Sequence, residues 1–451
     1  MFRYDFIRRA VLLLLAAPLW AAGTEYRAGV ASVEITPREP IRLSGYGNRT
    51  KPSEGVLAPI HTKALAITRG RGETVVIVTT DLIGLPRAIT DMAAARIQQK
   101  YGVERAGLLF NSSHTHTGPY VRGNLPLLFE IGAADKAVID AYAERLTDAL
   151  VEVTGRALLD LSPARLEVAH GEAHFGVNRR QMSEKGVVIG VNRAGPVDPE
   201  VPVLRVTDED GKVRAVLFGY ACHNTTLTGE HNAISGDYAG FAQEAVERAN
   251  PGATAMFLML CGGDQNPNPR STLALAESHG KELADSAEKV LKGDMKTLQG
   301  PIKTAFQITE LPLQAHTRET FEALQNDTNV YKKRLALAML KAYDERRPVR
   351  SVAYPVQAVR FGKDLTILAL GGEVVIDYDL RAKREFPNAN LVVAGYSNDV
   401  MCYIPSKRVL GEGGYEAVDS MLYYGKPMPF TEEVEERIFT TIHSVMKRVG
   451  N

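Results

Sequence analysis

The sequence predicts an α/β protein whose mainly parallel or mixed central sheet is flanked by helices. Short apolar runs alternate with longer segments of helical periodicity along most of the chain. The composition is 45% hydrophobic and 24% charged over 451 residues, which suits a globular protein with a large core. Polar residues follow the apolar runs, and in open α/β sheets ligands bind at the carboxyl ends of the strands. We therefore expect an active site at those ends.

The predicted strands are β-branched or apolar segments of the length that buried strands have. In chain order they cover residues 74–80, 107–110, 215–220, 254–260, 365–370 and 391–394. The predicted helices carry apolar residues at helical spacing. They cover residues 89–101, 135–154, 238–249, 274–291, 318–346 and 432–448. Residues 301–359 break the alternation, and we interpret them as an insertion within one domain of residues 24–451.

The first 23 residues have the layout of a secretory signal peptide. Three arginines precede an apolar run at residues 10–20, and the small residues Ala21, Ala22 and Gly23 follow it. The run is too short to cross a bilayer, and no later stretch is apolar enough to do so. We therefore expect a secreted or periplasmic protein whose mature chain has no transmembrane span.

The charges, cysteines and missing motifs exclude several classes of protein. Lys and Arg together number 53, as do Asp and Glu, so the formal charges balance. The sequence has no cluster of basic residues of the kind that binds a phosphate backbone, so we expect no nucleic acid partner. The three cysteines are too few for a disulfide framework, and we interpret them as small buried residues. The chain has no G-x-S-x-G elbow, no phosphate-binding P-loop and no H-E-x-x-H helix.

Several predicted strands end in residues that bind metals or transfer protons. His114 and His116 are separated by one residue, so in an extended segment both imidazoles project to the same face. His223 and Glu373 follow two other predicted strands. Together they supply the nitrogen and oxygen donors typical of a catalytic zinc site with an open water position. Each histidine alone is also explained by a polar loop or by a core imidazole held on a backbone carbonyl.

Residues 111–119, NSSHTHTGP, resemble the zinc-binding segment of the neutral, non-lysosomal ceramidases, which cleave the amide bond of N-acylsphingosines. Other segments resemble the same family in the same order. They are Ser44-Gly45-Tyr46, Asn178-Arg179, the strand before His223, Ser235-Gly236-Asp237, Gly372-Glu373, Ser397-Asn398 and the tyrosines Tyr403 and Tyr415. The ordered set is more specific than any one of its motifs.

The resemblance implies one zinc ion per chain, held by His114, His223, Glu373 and Tyr403. It also implies a zinc-activated water as the nucleophile, with His116 donating a proton to the leaving nitrogen. Tyr415 and Arg179 would hold the tetrahedral oxyanion or orient the substrate. Asp237 and Asp264 would orient the ligands, although solvated or capping carboxylates explain these two residues equally well.

Two differences from the family bear on the substrate. Where the family has a serine in a Gly-Asp-x-Ser-Pro-Asn segment, this chain has Asn266. The ceramidases also carry a β-sandwich domain after the catalytic one, whereas here one predicted helix follows Pro429. We therefore expect a ceramidase-like amidase that acts on ceramide or on another N-acyl lipid or small amide.

Three alternatives remain open from the sequence. The first is a metal-binding protein of the same fold that binds a ligand without turning it over. The second is a different metal-dependent amidohydrolase that uses the pair His114 and His116 for two metals, which requires eight strand-helix units. The third is an exported α/β protein whose histidines are structural.

Overall fold

The computed structural model describes residues 26–70 and 73–451. The predicted signal peptide, residues 1–23, lies outside the described residues. Within them the strands are β1 (Tyr26–Glu34), β2 (Gly55–Val56), β3 (His61–Arg69), β4 (Glu73–Thr80), β5 (Leu108–Ser112), β6 (Ser162–Glu172), β7 (Gly176–Ser183), β8 (Gly186–Asn192), β9 (Glu200–Thr207), β10 (Val213–Tyr220), β11 (Ala233–Ile234), β12 (Thr254–Met259), β13 (Gln265–Pro267), β14 (Lys296–Thr297), β15 (Ile302–Pro312), β16 (Ser351–Phe361), β17 (Leu365–Leu370), β18 (Glu373–Val374), β19 (Leu391–Ala394) and β20 (Tyr403–Ile404).

The α-helices of the same residues are α1 (Arg87–Tyr101), α2 (Ala133–Leu159), α3 (Asp237–Ala249), α4 (Leu273–Leu291), α5 (Arg318–Glu322), α6 (Val330–Asp344), α7 (Asp377–Glu385), α8 (Lys407–Glu412) and α9 (Val434–Arg448). All six predicted strands are present as β4, β5, β10, β12, β17 and β19. Among the described residues, no helix has the length and apolar character that crossing a membrane requires.

The largest sheet is mixed rather than mainly parallel. Its strand order is β12-β10-β9-β6-β1-β3-β4-β5, with β14 added beside β6. Along this order only β10 with β12 and β4 with β5 pair in parallel, and the other neighbours are antiparallel. A smaller sheet has the order β15-β16-β17-β19, in which only β17 and β19 are parallel. The α/β class and the mixed alternative of the prediction are therefore confirmed.

The three parallel pairs bring their carboxyl ends to one place. The Asn111 side chain at the end of β5 donates to the Gly395 carbonyl after β19, at 2.8 Å, and to the Met259 carbonyl of β12, at 3.1 Å. Its Oδ1 accepts from the Met259 amide at 2.8 Å. One buried amide thus joins the two edge strands of the large sheet to the small sheet. The loops that follow these strands build the site described below.

Residues 301–359 contain β15, most of β16 and a helical excursion between these two strands of the small sheet. β15 and β16 pair along their whole length, so only residues 313–350 leave the sheet. The single helix predicted for residues 318–346 is wrong, because α5 and α6 are separate helices. The polar stretch at residues 325–329 lies between them, and the Asn329 side chain caps α6 by accepting from the Tyr331 and Lys332 amides.

The core lies between the sheets and their helices. Fully buried aliphatic residues from both sheets fill it, among them Ile77, Leu109, Val359 and Leu368. Each such side chain contributes about 1.5–3 kcal/mol to the free energy of folding. α9 packs on β15 and β16 and covers the outer face of the small sheet. Three free cysteines, Cys222, Cys261 and Cys402, are buried in this interior.

Candidate active site

His114 is held in place by the backbone of a neighbouring loop. It follows β5 with φ 64°, a left-handed conformation that is uncommon for a residue with a side chain. Its amide donates to the Leu82 carbonyl at 2.8 Å, and its Nδ1 lies 2.6 Å from the Ile83 carbonyl. Because a carbonyl only accepts, Nδ1 carries the proton. The lone pair of Nε2 is therefore free to point into the site.

His223 has the same arrangement on the other side of the site. It follows β10 and is fully buried. Its Nδ1 lies 2.7 Å from the Gly262 carbonyl, so its Nε2 is also the unprotonated nitrogen. Burial, followed by the charge of Arg179, lowers the pKa of His223 to about 3. Both imidazoles are thus oriented as metal-binding histidines are, by a backbone acceptor behind the ring.

Glu373 and Tyr403 lie opposite each other in the short parallel pair β18–β20. Oε2 of Glu373 is 3.0 Å from Nε2 of His114 and 3.1 Å from Nε2 of His223. Oε1 accepts a hydrogen bond from the hydroxyl of Tyr424. The Tyr403 oxygen lies 3.0 Å from Nε2 of His223. Four donor atoms from four separate chain segments therefore converge on one buried point.

The chemistry of these four donors fits a metal cation. Burial raises the pKa of Glu373, and only positive charge beside it, on protonated His114 and His223 or on a bound cation, outweighs burial and holds this pKa well below its usual value. With both Nε2 atoms unprotonated, Oε2 of Glu373 has no hydrogen-bond donor and faces two imidazole lone pairs. A cation turns this mutual repulsion into attraction, since neutral imidazole and carboxylate are both metal ligands.

His116 lies beside the same point. Its Nε2 is 3.1 Å from Nε2 of His114, and His114, His116 and His223 form a cluster whose nitrogens lie within 4.8 Å of one another. Three buried histidines in this geometry could bind a metal. Burial, together with the other two imidazoles, holds the pKa of His116 well below 6.5, so the ring is neutral. Its other face packs edge-on against the ring of Tyr46, with the ring centres 4.9 Å apart.

Arg179 connects the donor set to the cavity. Its guanidinium donates to the Tyr403 oxygen at 3.0 Å, to Oδ1 of Asn266 at 3.2 Å and to Oε1 of Glu416 at 2.7 Å. Burial lowers the pKa of this side chain, but Tyr403 and Glu416 more than offset that effect and raise it. The Tyr415 ring lies beneath the guanidinium, 5.7 Å from its carbon. A fixed cation and a phenol thus stand next to the donor set.

The two aspartates from the sequence analysis hold backbone segments. Asp237, at the start of α3, accepts from the Leu227 amide at 2.8 Å and the Tyr238 amide at 2.6 Å. Asp264 accepts from the Ile376 amide at 2.9 Å and from the Asn178 side chain at 3.0 Å. Asp264 therefore ties the segment that carries Arg179 to the segment after Glu373, and burial raises its pKa to about 6.

A cavity of about 310 Å³ opens beside the donor set. Its lining includes His114, His116, Glu373, Tyr403, Tyr415, the loop at residues 45–48, Leu125, Leu128, Tyr331, Tyr423 and Tyr424. All the residues that the sequence assigned to metal binding and catalysis lie in or against this cavity, except His223 and Arg179, which contact Tyr403 from behind. The tyrosine-rich wall combines an apolar surface with a few polar groups, as ligand sites do.

Sequence reasoning missed Tyr424, Glu416 and Arg49. Tyr424 contacts Glu373 from 51 residues away in the chain, and Glu416 pairs with Arg179 across 237 residues. Arg49 donates to the Ser44 and His116 carbonyls at 2.6 and 2.5 Å. The only local signal was the proximity of Glu416 and Tyr424 to Tyr415, since no periodicity or spacing rule links a tyrosine to a distant carboxylate.

Comparison with known proteins adds to this geometry. A family model described as the N-terminal part of neutral/alkaline non-lysosomal ceramidase matches residues 26–311. The neutral ceramidase of Pseudomonas aeruginosa is 28% identical over 272 residues, which make up 57% of this chain and 39% of that protein. The neutral ceramidase of Mycobacterium tuberculosis is 25% identical over 248 residues, 50% of this chain and 38% of that protein. The matched part therefore spans less than half the length of either relative.

The same fold is found in a solved structure. The crystal structure of neutral ceramidase from Pseudomonas aeruginosa superposes with a TM-score of 0.70 at 18% identity, covering 93% of this chain and 73% of that one. The structural likeness covers 93% of this chain, a larger share than the family match at residues 26–311. The family match itself covers well over half of the chain. The chain therefore belongs to the neutral/alkaline non-lysosomal ceramidase family.

Proposed function

We propose that this protein is an exported zinc-dependent hydrolase that cleaves the amide bond of an N-acyl lipid or a smaller N-acyl amide. The observation that carries the proposal is the pair of imidazoles fixed through Nδ1 on the Ile83 and Gly262 carbonyls. Both present Nε2 to the ionised Glu373. Such preorganisation is costly for a structural role and useful for holding a metal.

One zinc ion would be held by His114, His223, Glu373 and Tyr403. When bound, zinc acidifies a coordinated water and polarises a carbonyl, which allows amide hydrolysis without a serine nucleophile. A mechanism without a serine nucleophile fits this chain, because Asn266 stands where the corresponding segment of the family has a serine. Tyr403 is protonated at neutral pH without a cation, because burial raises its pKa, although Arg179 opposes that shift. A metal at this site would favour its ionised form.

His116 serves as the proton carrier in this proposal. Its neutral ring accepts a proton at Nε2 from the attacking water and returns it to the departing nitrogen, which leaves poorly as an anion. Arg179 and Tyr415 orient the substrate carbonyl and stabilise the charge that develops on its oxygen. The guanidinium needs no rearrangement for this task, because Glu416, Asn266 and Tyr403 already fix it.

Ceramide is one candidate substrate, since the relatives are neutral ceramidases. The test is mass-spectrometric detection of free fatty acid and free amine from ceramide and from simpler N-acyl amides, with added zinc and with a chelator. We expect chelator-sensitive release of both products. His114→Ala should lose bound zinc and turnover, whereas His174→Ala, which removes an exposed histidine, should change neither. A fully active His114→Ala variant would contradict the proposal.

A second candidate is a metal-binding protein that binds an amide without cleaving it. Asn266 favours it, because its Oδ1 accepts from Arg179 and replaces a family serine next to the proposed substrate site. This alternative predicts zinc and ligand binding with no product from any amide in the series. Asn266→Ser separates the two candidates, since a gain of turnover from zero would support the silent protein.

Export rests on the predicted signal peptide of residues 1–23. We propose cleavage after Gly23, which would remove Trp20, the only tryptophan in the chain. The mature protein collected from the periplasm or the medium should therefore begin at Thr24 and show no tryptophan fluorescence. N-terminal sequencing of that protein checks the site, and an intact N-terminus would contradict it.

A further inference from the structure

One wall of the active-site cavity comes from α6, a helix of the excursion between β15 and β16. Tyr331 in its first turn lines the cavity together with Leu125, Leu128 and Tyr423. His114, His116, Glu373 and Tyr403 line the same cavity. The wall residues contribute shape and apolar surface to it.

A series of tyrosine rings leads from the donor set to this wall. The rings of Tyr403 and Tyr415 are 5.5 Å apart, those of Tyr415 and Tyr423 are 6.3 Å apart, and those of Tyr423 and Tyr331 are 4.9 Å apart. Such a surface suits an alkyl chain, because aromatic rings offer a large apolar area with few rotatable bonds. Tyr331 is the last ring of the series.

Tyr331 closes the cavity against the loop at residues 45–48. A Cβ added at Gly47 would lie 2.7 Å from the Tyr331 hydroxyl and 3.3 Å from Cδ1 of Leu128. The loop and the helix thus approach so closely that the space between Gly47 and Tyr331 does not admit even a methyl group on Gly47. An alkyl chain that extends along the tyrosines meets the Tyr331 ring before it reaches solvent in that direction.

The wall is fixed rather than loosely placed. Arg334, one turn along α6, donates to the Leu127 and Leu128 carbonyls at 3.2 and 3.3 Å. Leu335, Ala336, Met339 and Leu340 of the same helix are buried in a small apolar cluster with Phe321. Leu422, next to Tyr423, packs against that cluster. Shifting the helix backbone that carries Tyr331 therefore requires disrupting both the hydrogen bonds and the apolar packing of α6.

We propose that Tyr331 is the specificity-determining residue that limits the length of the alkyl chain carried by the amide, so that short-chain substrates are preferred. Tyr331 lines the cavity at the end of the tyrosine series, where a longer alkyl chain would contact its ring. This inference rests on the proposed amidase function and specifies its substrate class.

The test compares kcat/KM for two series of amides, one varied in the acyl chain and one in the amine chain, from about 4 to about 16 carbons. For the side that occupies the cavity, we expect kcat/KM of the unmodified protein to fall at least about tenfold beyond the length that fits. Tyr331→Ala should recover that loss for long chains. Leu337→Ala removes a 52% exposed side chain of the same helix and should keep the original profile.

An unchanged chain-length profile in Tyr331→Ala, or equal activity on short and long chains in the unmodified protein, would overturn the inference. Absence of hydrolysis in every variant would instead contradict the proposed function, and a second measurement then tests the wall. Calorimetric Kd values for linear fatty acids of the same lengths should show the same cutoff, relieved at least about tenfold in Tyr331→Ala. Equal Kd series for Tyr331→Ala and Leu337→Ala would overturn the inference without any turnover.

Discussion

The hydroxyl of Tyr424 donates a hydrogen bond to Oε1 of Glu373, which leaves only Oε2 of that carboxylate facing His114 and His223. A carboxylate held by one oxygen presents the other in a fixed direction. Such hydrogen bonds behind metal ligands typically account for a 10–100-fold difference in metal affinity. Tyr424 therefore belongs to the structure that orients the donor set.

Tyr424→Phe should weaken zinc binding about 10–100-fold without unfolding the protein, because the ring stays and only the hydroxyl is lost. Competition with a chromophoric chelator measures the affinity. Tyr354→Phe is the matched control, since the Tyr354 hydroxyl is buried and has no hydrogen-bond partner in the structure. Equal zinc affinities in Tyr424→Phe and the unmodified protein would contradict the assigned role.

Gly45→Ala should lower kcat/KM about 100-fold, because an added Cβ would lie 2.3 Å from Nδ1 of His116 and displace that ring. Zinc content should stay the same if His116 is a proton carrier and not a ligand. Gly102→Ala is the control, since Gly102 also has a positive φ, 74°, but no atom lies within 4 Å of its added Cβ. Loss of zinc in Gly45→Ala would instead place His116 among the ligands.

Glu416→Gln should reduce the free energy of unfolding by about 3–5 kcal/mol, because it leaves two buried guanidinium groups without their shared carboxylate. Glu416 accepts from Arg179 at 2.7 Å and from Arg180 at 2.6 Å, and its side chain is 1% exposed. Denaturant unfolding measures the loss. Glu412→Gln removes a more exposed partner of Arg180 and should cost much less, so similar losses in both variants would argue against the buried network.

Asp264 should make the protein less stable as pH rises. Its pKa is raised by burial to about 6 in the folded state, above its ordinary value of 3.8. The folded state therefore binds more protons than the unfolded state between these values, and its stability falls as pH increases through them. Between about pH 4.5 and about pH 7 this group alone contributes a loss of about 2 kcal/mol.

Denaturant unfolding of Asp264→Asn at these two pH values isolates that contribution from the other carboxylates. The variant loses one acceptor, so it should be destabilised at both pH values. The difference in free energy of unfolding between the unmodified protein and the variant should be smaller at the higher pH, where the unmodified protein carries the buried charge. A difference that is the same at both pH values, or larger at the higher one, would show that Asp264 is not the group responsible.

The sequence by itself determined part of the fold and most of the candidate site. Residue periodicity located six strands and the helices α1, α2, α3, α4 and α9, because the pattern of burial along a segment is a local property. It did not identify β1, β3, β6–β9, β15 and β16. The prediction of one helix over residues 318–346 was wrong, because a polar stretch separates α5 from α6, whose first turn is capped by Asn329. The histidines and Glu373 were found from their positions after strands, whereas Tyr403 came only from the family resemblance. The roles of these residues as zinc ligands stay a prediction.

Only the tertiary structure decided which strands pair and which distant groups touch. Periodicity shows which face of a strand is buried but not the direction of its neighbour, so the antiparallel pairs of the large sheet could not be predicted. Likewise, the contacts of Tyr424 with Glu373 and of Asp264 with Ile376 join segments that are 51 and 112 residues apart. Such contacts depend on how the sheets and loops close around the site, which no local pattern encodes.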